Sequence, residues 1–419
     1  MTRALLPALL ALPLLGQLTP AEHQLDLDSF EKVWTTIRDT HWEKNPGGLD
    51  WPKLHDEFRP KVEQAKTRDE ARTAVREMLA KLKQTHFGIL PAPVYSAIGS
   101  ETQGPGSPGF ELRVLGQEAI VVSVDRDSPA ERAGIKPGWI LERARGKDLR
   151  PLIKNLAGLP ELNLTRAVDA TVSGPVGGSV PVVMVDGTGK QVNLTLDLAP
   201  PRGEPSAFGN LPTTYVWLET QKLASTAYIR FNYFLDLVRV ITAFSEVVKD
   251  CGACDGLIID LRGNPGGIGG MAMGLAGFLV DMEGRRLGTM YMRDATLNFV
   301  INPRAPGFAG PVAILVDGCS ASTSEIFAGG LQDLGRAHVF GSRTAAAALP
   351  SVIERLPNGD GFQYAVANYI SEGGKPLEGL GVKPDVEVKL TRTALLAGHD
   401  PVIDAALNWI QNQKGARKQ

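Results

Sequence analysis

Cysteine is scarce in this chain. Its 419 residues include three, Cys251, Cys254 and Cys319, too few for a disulfide-built scaffold. An excess of one charge is missing as well: 44 Lys and Arg face 46 Asp and Glu, a net of −2, so no global basic field exists to attract nucleic acid or anionic lipid. No apolar run approaches the about 20 residues that span a bilayer. There is no internal repeat, no Gly-Lys-Ser/Thr phosphate loop, and no His-x-x-x-His or paired Cys-His spacing for a metal, so no metal or other cofactor is expected. The 43% hydrophobic content excludes a wholly disordered chain. At about 150 residues per domain, the length suggests roughly two or three domains.

What is present begins with Arg3 and an apolar stretch over residues 4–15, followed by Gly16-Gln17-Leu18-Thr19-Pro20-Ala21. A basic start, a short apolar run and a small residue at its end read as a signal peptide over residues 1–21, cut after Gly16 or Ala21. Pro7 and Pro13 speak against a buried helix here, and no Cys follows that could carry a lipid. The expectation is an exported protein, periplasmic or extracellular.

The rest divides into three parts. Residues 25–95 read as helical: Phe30, Val33, Trp34 and Ile37 share one helix face, and Thr67-Arg68-Asp69-Glu70 is a capping box before the stripe Ala71, Val75, Met78, Leu79 and Leu82. Residues 96–104 form a linker, and 104–200 read mostly as β. Within that stretch Ser128-Pro129-Ala130 and Gly134 punctuate a short helix, and Asp186-Gly187-Thr188-Gly189 signals a hairpin between strands 179–185 and 191–196. Residues 215–345 alternate strand and helix, with strands near 227–231, 256–261, 312–316 and 337–340, inside an αβ core expected over 215–412. The fold class is therefore α/β, or α+β across several domains, with a parallel sheet whose site lies at the C-terminal strand ends.

Two strand ends carry unusual residues: Asp260-Leu261-Arg262-Gly263-Asn264-Pro265-Gly266-Gly267 and Asp317-Gly318-Cys319-Ser320-Ala321-Ser322-Thr323-Ser324-Glu325. A Ser at a strand-to-helix turn sits exposed among main-chain N–H groups, which suits a nucleophile that generates an oxyanion. The bland alternative is that Ser322 merely caps a helix, since Ser322-x-x-Glu325 fits a capping box. Gly267-Ile268-Gly269-Gly270-Met271-Ala272 formally fits a dinucleotide fingerprint. Residues 262–266, however, intervene where that fingerprint needs a tight turn, so a nicotinamide-dependent dehydrogenase ranks third. Cys251-x-x-Cys254 is either a local disulfide or two thiols, and Cys319 reads as packing.

The order Ser107-Pro108-Gly109-Phe110, a strand, then Ser128-Pro129-Ala130 and Gly134-Ile135-Lys136-Pro137-Gly138-Trp139 resembles a PDZ domain. That resemblance implies peptide binding at Gly109 and Phe110, although Pro108 lacks an N–H and Trp139 stands where such domains usually have Asp. Both strand-end motifs, together with Leu377-Glu378-Gly379-Leu380-Gly381-Val382-Lys383-Pro384-Asp385, resemble the C-terminal-processing (tail-specific) serine peptidases. The resemblance implies a core of the crotonase-like, tail-specific-protease type, with Ser322 in the nucleophile's place. Many members activate that Ser with a Lys, but here the position holds Ala347, and Ala346 stands where Gly is common. A second branch, similar to the tricorn core protease, uses a His in a Ser/Thr-His pair and a Glu in the closing motif. Thr85-His86 and Glu378 match it.

The resemblance thus implies an exported serine endopeptidase that cuts extended or unfolded polypeptides, near C-termini among others. Ser322 would be the nucleophile and His86 the base, with Glu378 supporting it either directly or through Thr85 or another hydroxyl. The N–H groups of Thr323 and of Gly266 or Gly267 would hold the oxyanion. The alternative is a catalytically inactive peptide- or ligand-binding protein on the same scaffold. Polypeptides are the expected partners, with neither nucleic acid nor a membrane span, and the oligomeric state is left open.

Overall fold

The computed structural model describes residues 17–96, 105–207 and 213–417. The apolar stretch of the expected leader and most of the 96–104 linker lie outside the described residues. Among the described residues, no helix is long and apolar enough to cross a membrane.

The α/β part is built on a six-stranded sheet in the order Leu218–Leu223, Thr226–Phe231, Gly256–Asp260, Val312–Val316, His338–Gly341 and Val386–Glu387. The first pair is antiparallel and every other pair is parallel. Successive side chains point to opposite faces, and both faces are covered, which is why these strands read as unbroken apolar runs. Leu257, Ile259, Val312, Ile314 and Val316 pack under the helices Leu237–Asp250, Gly269–Ala276 and Thr323–Asp333. Ile258, Ala313 and Leu315 meet Val402, Ala406 and Ile410 of the C-terminal helix Pro401–Arg417. The strands Gly256–Asp260 and Val312–Val316 are adjacent, so the two motifs that follow them emerge side by side.

Residues 105–198 form a second sheet, in the order Phe110–Leu115, Glu118–Val124, Ile140–Ala144, Ser179–Val185 and Gln191–Asp197. The short helix Pro129–Arg132 carries the expected Ser128 cap, with Glu131 N–H donating to Ser128 Oγ at 3.1 Å. This stretch is less purely β than its sequence suggests, because it also holds the helices Arg150–Asn155 and Glu161–Val172. Leu164, Val168 and Val172, four residues apart, form the buried stripe of the second helix, which packs on the edge strand Phe110–Leu115.

The N-terminal helices Pro20–Thr40, Trp51–Glu63 and Arg68–Ala80 share one apolar cluster with Leu356, Phe362 and Tyr364 from the hairpin of Ser351–Arg355 and Gly361–Ala365. The hairpin turn places Asp360, which is fully buried, against Arg72: both of its oxygens accept from the guanidinium at 2.8 Å, and Ala92 N–H donates to it at 2.7 Å. Removing one partner leaves an uncompensated buried charge. Asp360→Ala should therefore lower the unfolding free energy by about 3 kcal/mol, measured by urea titration, whereas a loss below about 1 kcal/mol would mean that Arg72 is resolvated without it.

Candidate active site

The two turns are stitched together by buried hydrogen bonds. Asp317 Oδ1 accepts the N–H groups of Gly263 at 2.9 Å and Cys319 at 3.0 Å. Ser320 Oγ donates to Leu261 C=O at 2.7 Å and Ser324 Oγ to Asn264 C=O at 2.8 Å, while Ala321 N–H donates to the same carbonyl at 3.1 Å. Thr323 Oγ1 donates to Gly267 C=O at 2.9 Å. A Cβ on Gly266 would lie 2.8 Å from Ser322 Cβ and from Thr323 N, so only glycine allows this approach at its φ of +101°.

Ser322 precedes the helix Thr323–Asp333 with φ 53° and ψ −117°, a conformation costly for any residue with a side chain. Its N–H donates to Ala347 C=O at 2.8 Å and to Glu325 Oε2 at 3.0 Å. Glu325 N–H goes to the Ser322 main-chain carbonyl at 2.8 Å, and the Ser322-x-x-Glu325 capping box expected from the sequence is present at this helix start. Thr323 N–H has no acceptor among the described residues. Of the two glycines expected to donate, Gly266 gives its N–H to Asn264 Oδ1 at 2.9 Å, while that of Gly267 is uncommitted among the described residues.

Glu325, fully buried, accepts four donors: Ser322 N–H, Ala346 N–H at 2.9 Å, Ala347 N–H at 3.0 Å and Thr344 Oγ1 at 2.6 Å. Burial pushes its carboxyl up to about 7 against the pull of these donors. The next residue, Ala348, donates its N–H to Glu378 Oε2 at 3.1 Å. The 344–348 segment thus links Ser322 to Glu378 through its backbone. Ala346 there takes a left-handed φ of 57°, a conformation that glycine adopts without steric cost.

Glu378 does not touch His86. Its Oε1 accepts Thr85 N–H at 2.7 Å, its Oε2 accepts Thr85 Oγ1 at 2.9 Å, and Thr85 Oγ1 lies 2.8 Å from His86 Nδ1. The single hydroxyl proton points to the carboxylate, so Thr85 accepts from Nδ1–H and the lone pair of His86 is on Nε2. Burial, and after it the Arg166 guanidinium, hold the imidazole down to about 4, so it is neutral at pH 7. Burial raises the Glu378 carboxyl, and the donors from Thr85 and Ala348 oppose that rise.

The profile of peptidase family S41 matches residues 225–388, and that of the tricorn protease C1 domain matches residues 27–80. Residues 225–388 carry the peptidase family S41 domain. This S41 peptidase is a serine peptidase, 26% identical over 374 residues to a carboxyl-terminal-processing protease of Picosynechococcus sp., covering 85% of this chain and 82% of that protein. It is 25% identical to a chloroplastic C-terminal processing peptidase of Tetradesmus obliquus, over 86% of this chain and 76% of that protein. Among solved structures, the photosystem II D1 C-terminal processing protease superposes with a TM-score of 0.59 at 23% identity, covering 88% of this chain and 94% of that one. The tricorn protease superposes at 0.53 and 18% identity, over 94% of this chain and 37% of that chain.

The remaining expected residues fall as follows in this S41 peptidase. Gly109 N–H is taken by Ser107 Oγ at 3.1 Å, so neither Pro108 nor Gly109 offers a donor to a peptide carboxylate, and Phe110 is buried. Cys251 and Cys254 form a disulfide. Cys319 is buried beside Thr165, its thiol pushed up to about 12 by burial. It lies with Asp317 and Glu161, ligand atoms within 4.8 Å of one another, a grouping no sequence spacing announces. Sequence reasoning misses two residues that build the site, Asn264 and Asp317. An Asn before Pro in a Gly-rich turn is a side-chain-to-backbone signal, whereas the partners of Asp317 are set only by strand adjacency.

Glu325→Gln turns one accepting oxygen into a donor that, in either amide orientation, faces at least one main-chain N–H group. It should lower the unfolding free energy by about 2 kcal/mol, read by denaturant titration, whereas an unchanged midpoint would show that the carboxylate is dispensable to the turn.

Proposed function

We propose that the protein is an exported S41 endopeptidase of the His-using type, acting on extended polypeptide segments near their C-termini. In this reading Ser322 Oγ attacks the scissile carbonyl carbon while His86 Nε2 takes its proton. The N–H groups of Thr323 and Gly267 receive the developing oxyanion. His86 then gives the proton to the leaving amine as the C–N bond breaks, and water hydrolyses the acyl-Ser322 by the same route in reverse. Glu378, through Thr85, holds the imidazole in the Nδ1–H tautomer and stabilises its cation.

The observation that carries this reading is the chain of contacts from His86 Nδ1 through Thr85 Oγ1 to Glu378, in a site whose Lys position is Ala347. The left-handed backbone of Ser322 and the two uncommitted N–H groups support it. For substrate class, the relatives named for carboxyl-terminal processing support action near C-termini. The edge strand Phe110–Leu115 beside the helix Glu161–Val172 suits recruitment of an extended segment by a PDZ-like domain.

Export rests on the basic and apolar N-terminus. Thr19 caps the helix Pro20–Thr40: Glu22 N–H donates to Thr19 Oγ1 at 3.2 Å and Thr19 N–H to Glu22 Oε2 at 2.9 Å. A cut after Gly16 keeps that cap and a cut after Ala21 removes it. N-terminal sequencing of exported protein should therefore begin at Gln17, and a start at Glu22 or an uncut chain would contradict this.

Hydrolysis of an unfolded protein should be lost in Ser322→Ala and His86→Ala and fall about tenfold to a hundredfold in Thr85→Val. Equal activity in all variants would sink the mechanism. Because a base must be neutral to accept a proton, activity rises with pH through the pKa of His86. The acid limb of kcat/KM should therefore lie at about pH 4, with full activity by about pH 6, and a limb centred near the ordinary imidazole value of about 6.5 would contradict the environment described for His86.

A further inference from the structure

A cavity of about 400 Å3 opens between the second sheet and the strand ends of the core, with Phe110, Arg113, Arg166, Asp169, Arg230 and Pro265 in its wall. Pro265 directly precedes Gly266 and Gly267, so the cavity adjoins the turn that packs on Ser322. The cavity is rich in arginine, and most of these cations are spoken for. Arg113 Nε donates to Asp317 at 2.7 Å, Arg230 pairs with Glu111 at 2.8 Å, and Arg262 pairs with Asp260 and, at 2.8 Å, with Asp400.

Arg166 differs. It projects from the helix Glu161–Val172, is exposed, and forms no ion pair or hydrogen bond among the described residues. Asp169, one turn along the same helix, does not pair with it, and burial pushes that carboxyl up to about 7. The charge of Arg166 reaches His86, whose other polar neighbour is Thr85 with Glu378 behind it. An exposed, unpaired guanidinium in the wall of a cavity that adjoins the Ser322 turn is a seat for an anion that arrives with the substrate. The loop at 107–110 is a poor alternative for capturing that anion, since Pro108 has no N–H and Gly109 has given its own to Ser107.

We propose that Arg166 seats a carboxylate of the bound polypeptide, supplied by its chain terminus or by an Asp or Glu side chain. A guanidinium presents a planar fork that matches a carboxylate in two hydrogen bonds, a geometry Lys does not reproduce. The inference rests on the peptidase reading for its substrate.

The test is binding to the full-length Ser322→Ala protein, which separates recognition from cleavage. Fluorescent peptides of one apolar sequence are compared by anisotropy in pairs: a free C-terminal carboxylate against its amide, and, with both termini blocked, an internal Asp scanned along the chain against Asn at each position. At least one acid form should bind about tenfold more tightly than its neutral partner. That ratio should fall to about one in Arg166→Met and recover in part in Arg166→Lys. The pair that discriminates identifies the source of the carboxylate. Ratios below about twofold for every pair, or a ratio that survives Arg166→Met, would overturn the proposal. Since Arg166 is exposed, its replacement leaves the fold in place, checked by circular dichroism. Discrimination without cleavage by the wild type would count against the peptidase reading alone, and cleavage without discrimination against Arg166 alone.

Discussion

The site depends on the adjacency of two parallel strands, Gly256–Asp260 and Val312–Val316. Each ends in a turn full of main-chain polar groups that burial would leave unpaired. The turns satisfy one another: Asp317 ties down the first from the second, and Asn264 does the reverse. Their mutual bonding holds Ser322 in a left-handed conformation that an isolated turn would abandon, with Gly266 packed against it.

From that fixed point the remaining groups are placed by backbone, not by long side chains. Ala347 C=O takes the Ser322 N–H, Ala348 N–H reaches Glu378, and Glu378 reaches Thr85. Glu325 gathers Ser322, Thr344, Ala346 and Ala347 around one buried carboxylate. Position 347 contributes to this relay only through its backbone, its N–H reaching Glu325 and its carbonyl the Ser322 N–H. Burial explains why the imidazole is neutral, and Arg166 adds to the effect.

Much of this is legible in the sequence. The strand Val312–Val316 matches its expected bounds and the others fall within a few residues, because strands buried on both faces read as uninterrupted apolar runs. Ser322, His86, Thr85 and Glu378 all stand in motifs that the amino-acid sequence displays by itself. The rest is hidden for physical reasons. The helices in 150–172 are short and amphipathic, and the second buries a stripe built on Leu164, Val168 and Val172. The commitment of Gly266 N–H to Asn264 depends on a side-chain rotamer. The charge of Arg166 acts on His86 from a helix 80 positions further along the chain, and no local pattern marks such an effect.

The central claim is that Ser322 is a nucleophile activated by His86, and covalent labelling tests it most directly. The full-length protein is treated at about pH 7 with a fluorophosphonate, and the site and rate of modification are read by mass spectrometry. The account predicts one adduct, on Ser322, formed about a hundredfold more slowly in folded His86→Ala. An adduct on another residue, or an equal rate without His86, would contradict it.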